Sequence, residues 1–158
     1  MLNAAFVSSV LCATASGFRD VAGAGLPLTY CYLALPLVLH SETRERLPIT
    51  LATKLVTWTE RNGDLVARLP MKIRELIPYV SPGILVAGTT GLAVVSDDAQ
   101  LTTKLQEKNL TKWAKSTGSH EVSEIIRKAI FLGKWFAAAG SPATVFTAMG
   151  VRFENDNS

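Results

Sequence analysis

A chain of 158 residues has room for one ordinary domain, and a globular fold of that length buries roughly 70% of the surface its unfolded chain exposes, so it needs no disulfide or metal staple. Hydrophobic residues are 48%, charged residues 18% and the mean hydropathy +0.24, which excludes a disordered chain and leaves apolar surface for a partner. A net charge of +3 does not argue for nucleic acid by itself; a solvated surface with a few extra lysines accounts for it.

Residues 2–16 place Ala5, Phe6, Val10 and Ala13 near helical spacing, and Gly17 is expected to close that helix. Ala13-Thr14-Ala15 imitates a leader cleavage site, but no Lys or Arg precedes Arg19, and Leu11 stands where a lipoprotein site before Cys12 wants a small residue. Cys12 and Cys31 both lie in apolar stretches and form neither a disulfide framework nor a zinc spacing, so a reduced, cytoplasmic setting is expected. Leu26 to Leu39 is the longest strongly apolar run, 14 residues with two prolines, short of the ~20 that a bilayer span needs. It predicts a central buried helix with Pro27 at its first position and a kink between Tyr32 and Pro36. Ser41 to Arg46 is a polar interruption.

Thr50 is the expected N-cap of a helix reaching Glu60, with Leu51, Leu55 and Trp58 on one face. After the Asn62-Gly63 turn, a short helix from Asp64 and another from Met71 are expected, divided by Pro70. Ser81-Pro82-Gly83 reads as a break, with one more helical turn over residues 84–87. Gly88 to Gly91 is a turn, Leu92 to Val95 a strand, Ser96-Asp97-Asp98 a tight turn and Gln100 to Lys104 the return strand. Residues 105–118 are polar and basic, without a firm assignment. Ser119 caps a long helix to Ala139, ended by Gly140, and Ser141 caps a last short helix with Pro142 at its first position and Gly150 just past its end. The expected architecture is mainly α, one compact helical domain over residues 1–153 with a small β-hairpin near 92–104, winged-helix-like in its order, and a loose tail at 154–158.

Chemistry is sparse. His40 and His120 lie about 80 residues apart, and neither a zinc pattern nor a phosphate-cradling glycine loop with its Lys is present. Ser96, Asp97 and Asp98 are explained by the hairpin turn, and His40 by the carbonyls of a helix end. No catalytic residue, cofactor site or metal site is expected. Lys104, Lys108, Lys112 and Lys115 are spaced four, four and three, one stripe if the segment is helical, with Trp113 nearby. The plainer reading is a solvated face; the other is phosphate or DNA contact. The hairpin overlaps a helix that would begin at Lys104. In the long helix, Phe131, Leu132 and Trp135 lie off the main apolar stripe, so its second half is apolar on two faces. They fill this chain's own core or meet a partner.

Three stretches carry a resemblance when taken together. Gly25-Leu26-Pro27-Leu28 leads into Ala34-Leu35-Pro36-Leu37-Val38-Leu39-His40, followed by Thr43-Arg44-Glu45-Arg46-Leu47-Pro48. Gly133-Lys134-Trp135-Phe136-Ala137 precedes Gly140-Ser141-Pro142-Ala143-Thr144-Val145-Phe146 and Gly150-Val151-Arg152. Their order and spacing resemble the middle components of bacterial three-component ABC systems, a circle that includes the C subunit of Lamassu-type defence systems. The resemblance implies a noncatalytic accessory subunit made beside an SMC-like ABC ATPase and an effector, often a nuclease. It implies ATP and Mg on the partner ATPase and DNA reached through the complex, with no membrane. On that footing Pro36, His40, Thr43 and Arg44 are expected to form one partner junction, with Arg44 pairing a partner carboxylate; otherwise Thr43 and Arg44 only stabilise a helix start. The rival function is a free winged-helix DNA-binding regulator using the hairpin as its wing. Lys72 and Arg74 are the only cations on the helix at 71–79 that would read bases, which counts against it.

Overall fold

A computed structural model describes residues 2–152. The 154–158 tail expected to be loose lies outside the described residues. Helix α1 spans Ala4–Ala22, opened by the Asn3 side chain accepting from the Ala5 N–H and closed by Gly23 in the left-handed region at φ +68°. It therefore runs five residues beyond the expected stop at Gly17. The reason is tertiary. A Cβ placed on Gly17 would stand 1.9 Å from the carbonyl oxygen of Ile130, and one on Gly133 2.0 Å from that of Thr14. Helix α7, His120–Ala139, crosses α1 backbone to backbone there. Both glycines sit inside helices because no larger residue fits, a packing need that overrides their poor helix propensity.

Strand β1, Leu26–Pro27, replaces the expected helical start at Pro27. It pairs antiparallel with β3, Gln100–Thr103, through Leu26 opposite Leu101; β2, Ala93–Val95, pairs on the other side of β3, giving the order β1-β3-β2. Proline has no N–H, and an edge strand is where a sheet tolerates it. The hairpin lies where the β-branched run and the Ser96-Asp97-Asp98 turn placed it.

Helix α2, Thr29–Leu39, is the expected central helix, with Tyr30, Cys31 and Leu33 to Val38 all buried and Pro36 inside it. The polar interruption is itself a helix, α3, Ser41–Arg46. Thr50 caps no helix; its hydroxyl accepts only from Ala52 N–H at 3.4 Å, and α4 is the shorter Leu55–Arg61. The expected run of short helices from Asp64 onward is one helix, α5, Gly63–Thr89, which carries Pro70, Pro78 and Pro82 without ending. The carbonyls freed by Pro78 and Pro82 belong to Arg74 and Pro78, both exposed residues, so the lost helix bonds fall on the solvent side of α5. Its opposite face, Leu65, Leu69, Ile73, Val80 and Ala87, is held in the core. The unassigned segment forms α6, Glu107–Ser116, and the chain closes with α8, Pro142–Ala148, capped by Ser141 as expected. Among the described residues no helix is long and apolar enough to cross a membrane.

The close crossing makes a direct prediction. Gly133→Ala drives a methyl group into the α1 backbone, so it destabilises the chain by roughly 3 kcal/mol or more, at the high end of overpacking costs. Gly88→Ala, with open space around its Cβ near the end of α5, is neutral or stabilises by about 0.5–1 kcal/mol. Urea denaturation of the two variants checks the contrast.

Candidate functional site

Of the four expected junction residues, Pro36, Thr43 and Arg44 are buried and His40 is half-buried. His40 closes α2 and opens α3. One turn on, Arg44 is only 4% exposed, and its Nη1 donates to the carbonyls of Val38 at 2.8 Å and Leu39 at 3.4 Å. Those are last-turn carbonyls of α2, which have no partner within the helix, so the guanidinium serves as their cap. Its Nη2 lies 3.7 Å from Glu121, in the first turn of α7. Arg44 therefore ties α2, α3 and α7 together, and the carboxylate it meets is its own chain's. The helix terminus that Arg44 caps is the end of α2, not the start of α3. Thr43 is buried and accepts from Lys72 Nζ of α5 at 3.4 Å. Pro36 is buried within α2. Burial, then the charge of Lys72, lowers the pKa of His40, with Glu75 opposing; its Nε2 is buried without a hydrogen-bond partner among the described residues.

The aromatic stripe of α7 is also spent within the chain. Leu132 and Trp135 are buried at 0% and 1% exposure, and Phe131 is half-buried. Trp135 meets Trp58 edge to face at 5.6 Å, and its Nε1 donates to Thr53 O at 2.8 Å, fixing the loop before α4. Phe131 lies against Trp135 at 6.2 Å. On the other face of α7, Phe136 stacks on Tyr30 of α2 at 4.6 Å. The two apolar faces thus have two packing partners inside this fold. What remains exposed lies beside them: Leu51 and Val56 border a groove of about 290 Å³ lined also by Trp135 and Ala139, and Ile49, two residues before Leu51, is 91% exposed. This patch is absent from the sequence reading because Leu51 sat on a predicted helix face that the structure lacks.

The lysine stripe divides. Lys104 lies in the link after β3, while Lys108, Lys112 and Lys115 share the outer face of α6, all exposed. Trp113 leans the other way, 40% exposed, over a small apolar pocket with Leu92, Leu105 and Leu110. The link is gripped from below by Arg19 of α1, which donates to the carbonyls of Thr103 and Leu105, the latter at 2.9 Å, and Ser16 Oγ donates to Leu105 O at 2.9 Å. Sequence reasoning missed Arg19 because its partners lie more than 80 residues away.

Among the described residues no cluster of three or more His, Cys, Asp or Glu could hold a metal ion. Burial pushes the Cys12 thiol up to about 11 and the Cys31 thiol up to about 12, so both remain protonated at neutral pH.

The family model of the ABC-three component system Middle Component 3 matches residues 1–153, and the chain belongs to that family. No curated protein matches the chain, and no solved structure does.

Arg44→Leu leaves two buried carbonyls of α2 without their donor, and a loss of roughly 2–3 kcal/mol is expected in chemical denaturation. His40 makes a separate prediction for pH. Its folded pKa lies below the ordinary 6.5, so the native state resists the proton that the unfolded chain accepts. Its contribution is complete above pH 6.5 and is lost as pH falls below it. His40→Asn should flatten the fall in melting temperature between about pH 7 and 5; an unchanged slope contradicts the assignment.

Proposed function

We propose that this protein is a noncatalytic accessory subunit that bridges an SMC-like ABC ATPase and a nuclease-type effector in an antiphage or antiplasmid complex of the Lamassu kind, acting in the cytoplasm. ATP and Mg belong to the partner ATPase, and DNA reaches this subunit through the complex. Family membership supports the setting. The observation that carries the bridging role is apolar surface left uncovered on two different elements. One is the edge of Leu51 and Val56 beside the α7–α8 groove, with the exposed Ile49 two residues before Leu51. The other is the outer face of α5, where Met71, Pro78, Pro82 and Leu85 follow at intervals of seven, four and three, with Met71 63% and Leu85 66% exposed. Patches of this kind, rimmed by polar groups, are what a subunit offers to partners.

Coupling in such a complex is a two-state switch whose bias comes from contacts that differ between the states. The winged-helix-like reading of helices followed by a hairpin agrees with accessory subunits of condensin-like machines. The free-regulator alternative is the poorer fit. The hairpin tip presents Asp97 and Asp98 to solvent, which repel phosphate, and Lys72 of the would-be reading helix is turned to Thr43.

Coexpression with the ATPase and effector components of the same system, followed by tagged purification and sizing, tests the bridge. The expected result is a three-protein complex. Ile49→Asp with Leu51→Asp should release one partner while Met71→Asp with Leu85→Asp releases the other. A clean monomer or homodimer, with neither partner attached, contradicts the reading.

A further inference from the structure

We infer that the outer face of α6, continued by Lys104, is a contact surface for the phosphodiester backbone of duplex DNA, held by this chain directly and without reading sequence. The inference does not rest on the bridging role, since it concerns the chain alone.

The charge is concentrated there. Residues 104–128 hold six Lys and Arg against three Glu, a net +3 equal to that of the whole chain. Elsewhere three of the arginines are tied up: Arg46 and Arg68 share Asp64 and Glu42, and Arg44 has Glu121, while Lys54, Arg61 and Arg74, unpaired among the described residues, are scattered rather than aligned on one helix face. Lys104, Lys108, Lys112 and Lys115 make no ion pair among the described residues. The carboxylates that border the same open concavity are the ones already matched, Asp20 by Arg19 at 3.7 Å and Glu107 by Lys134 at 3.1 Å. The face is thus positive, with the acids beside Lys104 and Lys108 neutralised, and it is continued across a shallow cleft by Arg127 of α7, where Glu124 is set against the two cations Lys115 and Arg127.

The surface is also built, not fringe. Arg19 holds the two carbonyls on either side of Lys104, which keeps that side chain pointing outward beside α6. Gln106 caps α6 in a reciprocal box with Asn109, and Leu110 and Ala114 anchor the helix by its inner side. Lys108 to Lys115 extends about 10 Å along the helix axis at ~1.5 Å per residue, alongside roughly six phosphate charges of a duplex at one per ~1.7 Å. No Asn, Gln or Arg on that outer face is placed for paired hydrogen bonds to base edges, so the contact belongs to the backbone.

The test is fluorescence anisotropy of a labelled duplex of mixed sequence with the full chain, titrated across salt. Binding in the micromolar range is expected at about 50 mM NaCl, weakening steeply with salt. Lys108→Gln with Lys112→Gln and Lys115→Gln should flatten the log–log salt slope by about 2–3, so that the wild type loses roughly 40-fold more affinity than the variant between about 50 and 200 mM. The three Lys→Arg changes should keep the slope, and Arg68→Gln should leave it unchanged, with folding of each checked by circular dichroism. No binding by the wild type at low salt overturns the inference, as does a triple Gln variant with an undiminished slope. Affinity differing more than about tenfold between unrelated duplexes overturns the backbone assignment.

Discussion

The backbone contact between α1 and α7 at Gly17 and Gly133 is the constraint on which the other elements depend. Two helices approach until a methyl group on either glycine would lie about 2 Å from the other helix's carbonyl oxygen. Such a crossing is possible only where both partners are bare, and it fixes the rotation of both helices about their axes. Once α7 is turned so that Gly133 meets Thr14, Trp135 must face the loop at Thr53, and Phe136 must face Tyr30. Once α1 is turned so that Gly17 meets Ile130, Ser16 and Arg19 fall under the link between β3 and α6. The hairpin and the lysine helix are positioned by a contact made in the core.

Arginine and lysine divide the work. Arg44 and Arg19 each present a planar fork of donors to main-chain carbonyls that secondary structure leaves unpaired, and each ties together segments distant in sequence. Arg46 and Arg68 join Glu42 and Asp64 in a surface network that holds Asp64 well below its usual range, at about 2, chiefly through its hydrogen bond with Arg46. The α6 lysines do none of this. Their charge is uncommitted, and the elements beneath them are rigidly placed.

Much of the architecture was legible in the sequence wherever a local signal and the tertiary demand agreed. Ser119 and Ser141 announce α7 and α8 because a hydroxyl cap is a local bond, and both accept from the expected N–H groups. The hairpin is legible because β-branched residues and turn residues coincide. Where packing opposed propensity, the reading failed. Gly17 reads as a stop, yet it is the point of closest approach. Pro70 and Pro82 read as breaks, yet burial of one face of α5 outweighs the helix bonds that they and Pro78 remove. Strand β1 is two residues long and exists only because Leu101 lies opposite, so no local pattern could announce it. The polar interruption beside the apolar helix, with Arg44 in it, was legible in the sequence. Its direction was not, because the partner of Arg44 is a helix end that sequence does not locate in space.

Native-state hydrogen exchange, resolved residue by residue, tests the central claim most directly. If the glycine crossing organises the fold, amides of α1 around residues 10–18 and of α7 around 126–136 exchange only by global unfolding, while α6 and the hairpin open earlier and without them. Amides of α5 or α2 outlasting those of the α1–α7 crossing would contradict the account and move the organising contact elsewhere.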